Sequence, residues 1–479
     1  MLSDERRGEE LDAPTSFLSS PNEACGELEH ALAMLRQYEA PIESVDDLTL
    51  ITLADSALDA LAFLWRHCEA LNDPNDAAQR EDIAIQARRL SAKIAPELAR
   101  PLRALEGRLP HQPPPSWAAT LVRLICMVRW AARWAWLGYE RVSPELWALA
   151  AYTYETGEHA QGLAALTTVG AAAIPTSIEQ EYLSLLFAQW ISPFALSPSA
   201  YFLVERLIEN CREDLSLSPI TVREDDEIVN LDTGHVMLER EALTHQRKQR
   251  LRYAPLTRMR ERMSAVLETT TPVATDVRDV LEQISRTVIG RQRRKLVRLG
   301  ERTQVVRSVR AIFGYGKLLA GANGADVAGP EQLCMLRDRS TQGCRLLAPA
   351  QPLSIGMLAR VTGIFEAETS LGVVRWLTRA DNGQWEVGLQ MIRGAISLLT
   401  AQPASGNWPS DRDSAPILVI DTEEWEPHAL VAVLPKSTGN ADITAELVLP
   451  DAQLRLRRQR YMETGVDFDM SLFSVDELS

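Results

Sequence analysis

The spacing of apolar residues changes along this chain, and that change limits what it can fold into. From Asn22 onward Leu28, Leu32 and Leu35 recur at three and four, the repeat of one helix face. Between Ile220 and Leu238 the period shortens, and beyond Gly300 apolar and polar residues alternate as in half-buried strands. The expected fold class is multidomain α+β, with an N-terminal all-α helical bundle, then a β domain, then a further small β region.

Helices are expected at about 51–71, 80–106, 116–139, 177–193 and 198–215, with Ser20-Pro21 as cap and first turn of the helix after Asn22. His111-Gln112-Pro113-Pro114-Pro115 reads as a stiff connector. Pro144 to Gly157 resembles the first helix of one tetratricopeptide hairpin, with a second helix expected from His159, but no copy recurs at a fixed period. Apart from that isolated hairpin, the helical region resembles no family. Trp65, Trp117, Trp130, Trp134, Trp136 and Trp147 are expected in its core.

Trp117 to Tyr139 approaches the length of a membrane span, yet Arg123, Arg129 and Arg133 interrupt it, which favours a buried bundle helix. No membrane span is therefore expected. The first twenty residues read as disordered and lack the apolar core of a signal peptide, so the expected address is cytoplasmic. A formal charge of −15 argues against general affinity for nucleic acid, while leaving room for a local basic patch that binds one compact anion. The six cysteines form no Cys-x-x-Cys pair, and the seven histidines show no metal-ligand spacing. No catalytic constellation or cofactor motif emerges, so the chain does not read as an enzyme.

Residues 219–290 read as a connecting region. Ile228, Leu231 and Val236 to Leu238 flank Asp232-Thr233-Gly234, a small hairpin. Glu239 to Glu268 reads as one charged helix, mainly a solvated face, carrying Arg247, Lys248, Arg250, Arg252, Arg258, Arg260 and Arg262. A helix at about 275–290, with Val277, Val280, Leu281, Ile284 and Val288 on one face, leads into Arg291-Gln292-Arg293-Arg294-Lys295-Leu296-Val297-Arg298. If that helix continues, Arg294 and Arg298 share a face; if the stretch is a flexible arm, they fold over whatever binds.

The β domain is expected over 291–400, with a first strand at Thr303 to Arg310 and an irregular Gly-rich excursion around Gly314-Tyr315-Gly316 and Gly321 to Gly329. Cys334 to Leu347 reads as strand, tight turn, strand, with Asp338, Ser340 and Gly343 supplying the turn chemistry. Further strands are expected at 357–364, 371–378 and Trp385 to Ile392, the last two joined at Asp381-Asn382-Gly383. Residues 401–416 read as a linker, 417–470 as a C-terminal β region that either continues the preceding β domain or forms its own, and 471–479 as an acidic tail.

Arg-x-x-x-Arg at Arg294 and Arg298, followed by Asp-x-Ser-x-x-Gly at Asp338, Ser340 and Gly343, with the Gly372-Val373-Val374-Arg375-Trp376 hairpin behind, resembles the PilZ family of bacterial cyclic di-GMP receptors. The resemblance covers about residues 290–395 and implies that the β domain over 291–400 is a PilZ-like antiparallel β-barrel. It implies a cyclic di-GMP ligand held by Arg294, Arg298, Asp338, Ser340 and Gly343, with Arg293 a further candidate. The place of the arginine arm at the junction of the two regions adds the expectation of an unidentified protein partner reached through the helical module. The chemistry is apt, because an arginine fork pairs with phosphate oxygens and with guanine O6 and N7, while a carboxylate accepts from guanine N1–H and N2–H. The alternative is a PilZ-like adaptor that binds no ligand and acts only through protein contacts, in which Asp338 and Ser340 merely close a turn.

Overall fold

The computed structural model describes residues 18–38, 48–71, 76–104, 115–171, 173–212, 215–223, 226–236, 250–269, 284, 303–322, 331–340, 342–364, 369–380, 382–392, 394–403, 415–421, 429–436, 444–448 and 453–477. The chain divides into two compact units, one of Met1–Pro193 with Pro198–Thr269, the other of Phe194–Ser197 with Thr270–Ser479.

The first unit is built on α1 (Pro21–Gln37), α2 (Leu48–Ala70), α3 (Ala77–Ala104), α4 (Pro115–Leu137), α5 (Pro144–His159), α6 (Ile178–Trp190) and α7 (Pro198–Cys211). Ser20 caps α1 by accepting from Glu23 N–H, with Pro21 in the first turn, and Ser143-Pro144 repeats the device at α5. The buried face of α1 is Ala24, Leu28, Ala31, Leu32 and Leu35. Trp65 of α2 is an aromatic hub, its ring meeting Trp130, Trp134, Tyr201 and Phe202 at centroid distances of 5.7, 5.3, 5.9 and 4.6 Å.

Helix α4 keeps its arginines buried by pairing them. Arg129 Nη1 lies 2.8 Å from Glu181 Oε2, and its Nη2 lies 3.0 Å from Glu205 Oε2. Arg133 Nε donates to Glu205 at 2.7 Å, Arg212 Nη1 to Glu181 at 2.8 Å, and Arg123 pairs with Asp55. Thr176 and Tyr201 hydroxyls donate to the same two glutamates, at 2.6 and 2.7 Å. Burial by itself raises the Glu181 carboxyl, but Arg129 and Arg212 overcome this and hold it well below the usual carboxylate range. Among the described residues one helix, α2, is long and apolar enough to cross a membrane. Its Leu50, Ala54, Ala57, Leu58, Leu61 and Leu64 are buried inside the unit.

The region 21–218 is not all helix. No helix starts at His159; instead β1 (Thr167–Val169) and β2 (Ile174–Thr176) form a hairpin. Gln161 already has a positive φ of 54°, ending the helical path, and Thr167-Thr168-Val169 is β-branched. Asp55 and Asp59 of α2 accept from Gly170 and Ala171 N–H, tying the hairpin turn down. The expected Asp232-Thr233-Gly234 turn is present between β3 (Glu227–Asn230) and β4 (His235–Val236). Gly234 turns at φ 75°, so close to Trp147 that a Cβ would lie 2.2 Å from its carbonyl oxygen.

The single charged helix over Glu239 to Glu268 is also corrected. Leu251–Ala254 is a strand, β5, on the free side of β3, and only after Pro255 does α8 (Leu256–Thr269) begin. Nor is this a plain solvated face: Arg252 and Arg260 are buried, and Arg250 and Arg252 pair with Glu155 and Glu158 of α5. Arg247 and Lys248 lie outside the described residues, as do residues 1–17, 111–114 and the 275–290 helix except Ile284, which is buried.

The second unit holds two closed antiparallel barrels. The first runs in the order β10-β11-β8-β7-β6-β9, from β6 (Thr303–Phe313), β7 (Gln332–Arg339), β8 (Gly343–Ala348), β9 (Leu358–Thr362), β10 (Thr369–Arg379) and β11 (Trp385–Ile392). The second runs β12-β13-β14-β17-β16-β15, from β12 (Ala395–Pro403), β13 (Ala415–Asp421), β14 (Ala429–Pro435), β15 (Thr444–Val448), β16 (Gln453–Thr464) and β17 (Phe468–Glu477). The C-terminal β region thus forms its own barrel.

Several element readings give way here. The excursion after Gly314 begins as a short helix, α9 (Tyr315–Ala322), with residues 323–330 outside the described set. Residues 401–403 and 415–416 of the expected linker lie in strands β12 and β13. The expected acidic tail from residue 471 is largely strand β17, paired on both sides with β14 and β16. Closure of the second barrel needs that strand, so its acidic and serine residues pair within a ladder.

The two barrels share a core. Ile312, Tyr315, Leu358, Leu371 and Val373 pack with Leu418, Ile420, Val431, Val433 and Phe468. Asp467 clasps the junction: its carboxylate accepts from Tyr315 N–H at 2.6 Å and Leu358 N–H at 3.2 Å. Burial raises its pKa, partly offset by those two donors.

Candidate functional site

The Asp-x-Ser-x-x-Gly hairpin joins β7 to β8, where alternation puts Cys334 and Leu336 in the core on one strand and Cys344 and Leu346 on the other. Leu336 faces Leu346 across the ladder. Burial pushes the Cys344 thiol up to about 12 and the Cys334 thiol up to about 11, so both behave as apolar packing.

At Asp338 the ladder slips on both sides. Toward β8 the register moves from Leu336↔Leu346 to Asp338↔Arg345, so Arg337 and Asp338 share one opposite residue; toward β6 it slips between Gln304 and Arg307. Such bulges bend a strand end and re-aim its side chains. Asp338 is 5% exposed, and its Oδ2 lies 2.8 Å from Arg345 Nε. That N–H is buried and aligned with no acceptor, so the contact is an ion pair without a directed hydrogen bond.

The Ser340 hydroxyl closes the turn. Its oxygen accepts from Gly343 N–H at 3.2 Å and Gln342 N–H at 3.4 Å, and Ser340 N–H donates to Gly343 O at 2.7 Å. Gly343 packs so tightly on β11 that a Cβ would lie 2.6 Å from the Leu389 carbonyl oxygen. Asp338, Ser340 and Gly343 are therefore brought together at one end of the β7–β8 pair. Arg293, Arg294 and Arg298 lie outside the described residues.

Further cations surround this end of the barrel. Arg307 of β6 and Arg339 of β7 both donate to the Ile364 carbonyl, Arg339 at 2.6 Å. None was singled out from sequence, nor was Arg345. Arg345 lies two residues past Gly343, and alternation from Cys344 and Leu346 puts it off the core face, but its meeting with Asp338 depends on the bulge. On the late hairpin, Trp376 lies over Gly388 across the β10–β11 ladder, where a Cβ would sit 1.9 Å from the indole nitrogen. Among the described residues no cluster of side chains is arranged to hold a metal ion.

Residues 18–222 match the family model described as "Cyclic-di-GMP receptor FimW, N-terminal domain". The match corrects the expectation that the helical region resembles no family. It spans α1 to α7 and stops well before the Asp338 hairpin. No curated protein matches the chain. Among solved structures, the mosquito-larvicidal Cry4Aa toxin from Bacillus thuringiensis aligns over 96% of this chain and 67% of that chain, with 9% identity and a TM-score of 0.11, which carries no argument.

Proposed function

We propose that this chain is a cyclic di-GMP receptor that binds the nucleotide at the β7–β8 end of its first, PilZ-like barrel and passes the signal through the helical module to a protein partner in the bacterial cytosol. Arg293, Arg294 and Arg298 neutralise phosphate and read guanine O6 and N7. Asp338 accepts from the base, Ser340 bonds base or phosphate, and Gly343 lets the backbone approach. The observation that carries this reading is a coincidence of independent parts. The helical region matches a cyclic-di-GMP receptor domain, and an Asp-x-Ser-x-x-Gly turn outside that match ends two strands of a closed antiparallel barrel.

Calorimetric titration of the full chain with cyclic di-GMP tests it. Saturable heat is expected for the wild type, and Arg294→Ala or Asp338→Ala should each weaken binding by roughly 10- to 100-fold, the worth of a hydrogen bond to a charged group. A second reading, the adaptor without ligand, draws on the fact that Asp338 already faces Arg345 and Ser340 already closes its own turn. Absence of heat with folded wild-type protein sends the assignment there.

A further inference from the structure

We propose that Arg345 sets the affinity of this site for its guanine ligand by standing in for guanine on the Asp338 carboxylate. This deepens the receptor reading and rests on it. A carboxylate as buried as Asp338 needs donors around it, because an uncompensated buried charge is costly. Arg345 meets part of that need from the neighbouring strand, brought opposite Asp338 by the β7 bulge, beside the carboxylate's further contacts.

The substitute is chemically close to the ligand. In guanine, N1, C2, N2 and N3 form a guanidine unit, and N1–H and N2–H present two near-parallel donors, as the arginine fork does. Base and side chain thus compete for one acceptor with one kind of edge. Arg345 has the advantage of charge but the handicap of geometry, since its Nε–H is 2.8 Å away and misdirected. A planar base that slots in with both N–H groups aligned takes over the carboxylate. The displaced side chain, already 34% exposed, then swings into solvent without stranding a buried cation. Adenine has no such edge, because its N1 is an acceptor and meets the carboxylate with repulsion.

The test is calorimetry on the full chain with cyclic di-GMP and cyclic di-AMP, for wild type, Arg345→Ala and Arg345→Gln, with thermal melts to establish folding. Removing a competitor whose side chain is a third exposed should tighten cyclic di-GMP binding by about two- to five-fold in both variants. Cyclic di-AMP should remain unbound by all three. Arg345→Gln, which keeps side-chain length and loses the charge, serves if Arg345→Ala does not fold. Binding that appears only in the variants supports the exchange, with Arg345 closing the site, and leaves the wild type to the adaptor reading. Unchanged or weaker cyclic di-GMP binding in both variants, with wild-type binding intact, overturns it and leaves the receptor reading standing. Equal binding of both nucleotides overturns the base-reading role. No binding by any of the three proteins removes the receptor reading, and this inference with it.

Discussion

Two arginine–carboxylate contacts in this molecule look alike in a list of distances and differ in everything that governs their use. Around α4, Arg129 and Arg133 meet Glu181 and Glu205 through aligned hydrogen bonds, and hydroxyls of Thr176 and Tyr201 fill the remaining acceptor positions. At the end of the first barrel, Arg345 reaches Asp338 at 2.8 Å with its N–H misdirected and a third of its side chain in solvent. The lesson is that satisfaction, more than proximity, separates a structural ion pair from an exchangeable one. A sealed, fully bonded network resists replacement. A carboxylate that faces a badly aligned guanidinium has something to gain from a better donor.

The comparison can be broken most directly at Arg129. Arg129→Ala leaves two buried glutamates short of a cation and should destabilise the helical unit by about 3–5 kcal/mol, read as earlier urea unfolding and faster amide exchange in α4. The network also has a pH signature. Glu181 and Glu205 are driven up by burial and further down by their arginines, so their folded pKa values lie below the ordinary one. Their stabilisation is therefore complete above the ordinary carboxylate range and lost only as pH falls through the depressed values. Acid unfolding of α4 at the ordinary carboxylate pKa would contradict this.

Asp467 sharpens the contrast, because its pKa is raised. Its folded form holds a proton more tightly than its unfolded form, so its contribution is present below the ordinary carboxylate pKa and lost as pH rises through the raised one. Asp467→Asn should abolish that slope. It should also cost about 1–2 kcal/mol near neutral pH, since the amide oxygen serves only one of the two backbone donors well. A pH series of urea melts with exchange read in β9 checks both. The smallest effect is expected from Arg345→Ala on unliganded stability, about 1 kcal/mol or less, because its side chain is a third exposed, its N–H is misdirected and Asp338 has further contacts. A loss as large as that of Arg129→Ala would abolish the distinction between the two pairs.

Much of the fold was legible because strong periodicity survives packing. The apolar stripes of α1 to α7, the Ser-Pro cap of α1 and the alternation of Cys334, Leu336, Cys344 and Leu346 all point to elements the structure contains. The misreadings fall where composition opposes periodicity. Phe468–Glu477 resembles a polar tail because Asp469, Ser471, Ser474 and Asp476 crowd it, yet it lies between two partners, and Asp469 is paired with Lys436. Leu251–Ala254, set among arginines, reads as helix until Pro255 breaks it and β3 offers a ladder. The β1–β2 hairpin was hidden by the helical pattern on either side.

Sequence alone determined the helical and β halves, the pairing of β7 with β8 and the nature of the turn between them, because these depend on residues close along the chain. Tertiary structure decided that twelve strands close into two barrels, that Asp467 joins them, and that Arg345 stands against Asp338. Each of those outcomes depends on register, and a one-residue bulge moves a guanidinium from one partner to another while leaving no mark on the local pattern.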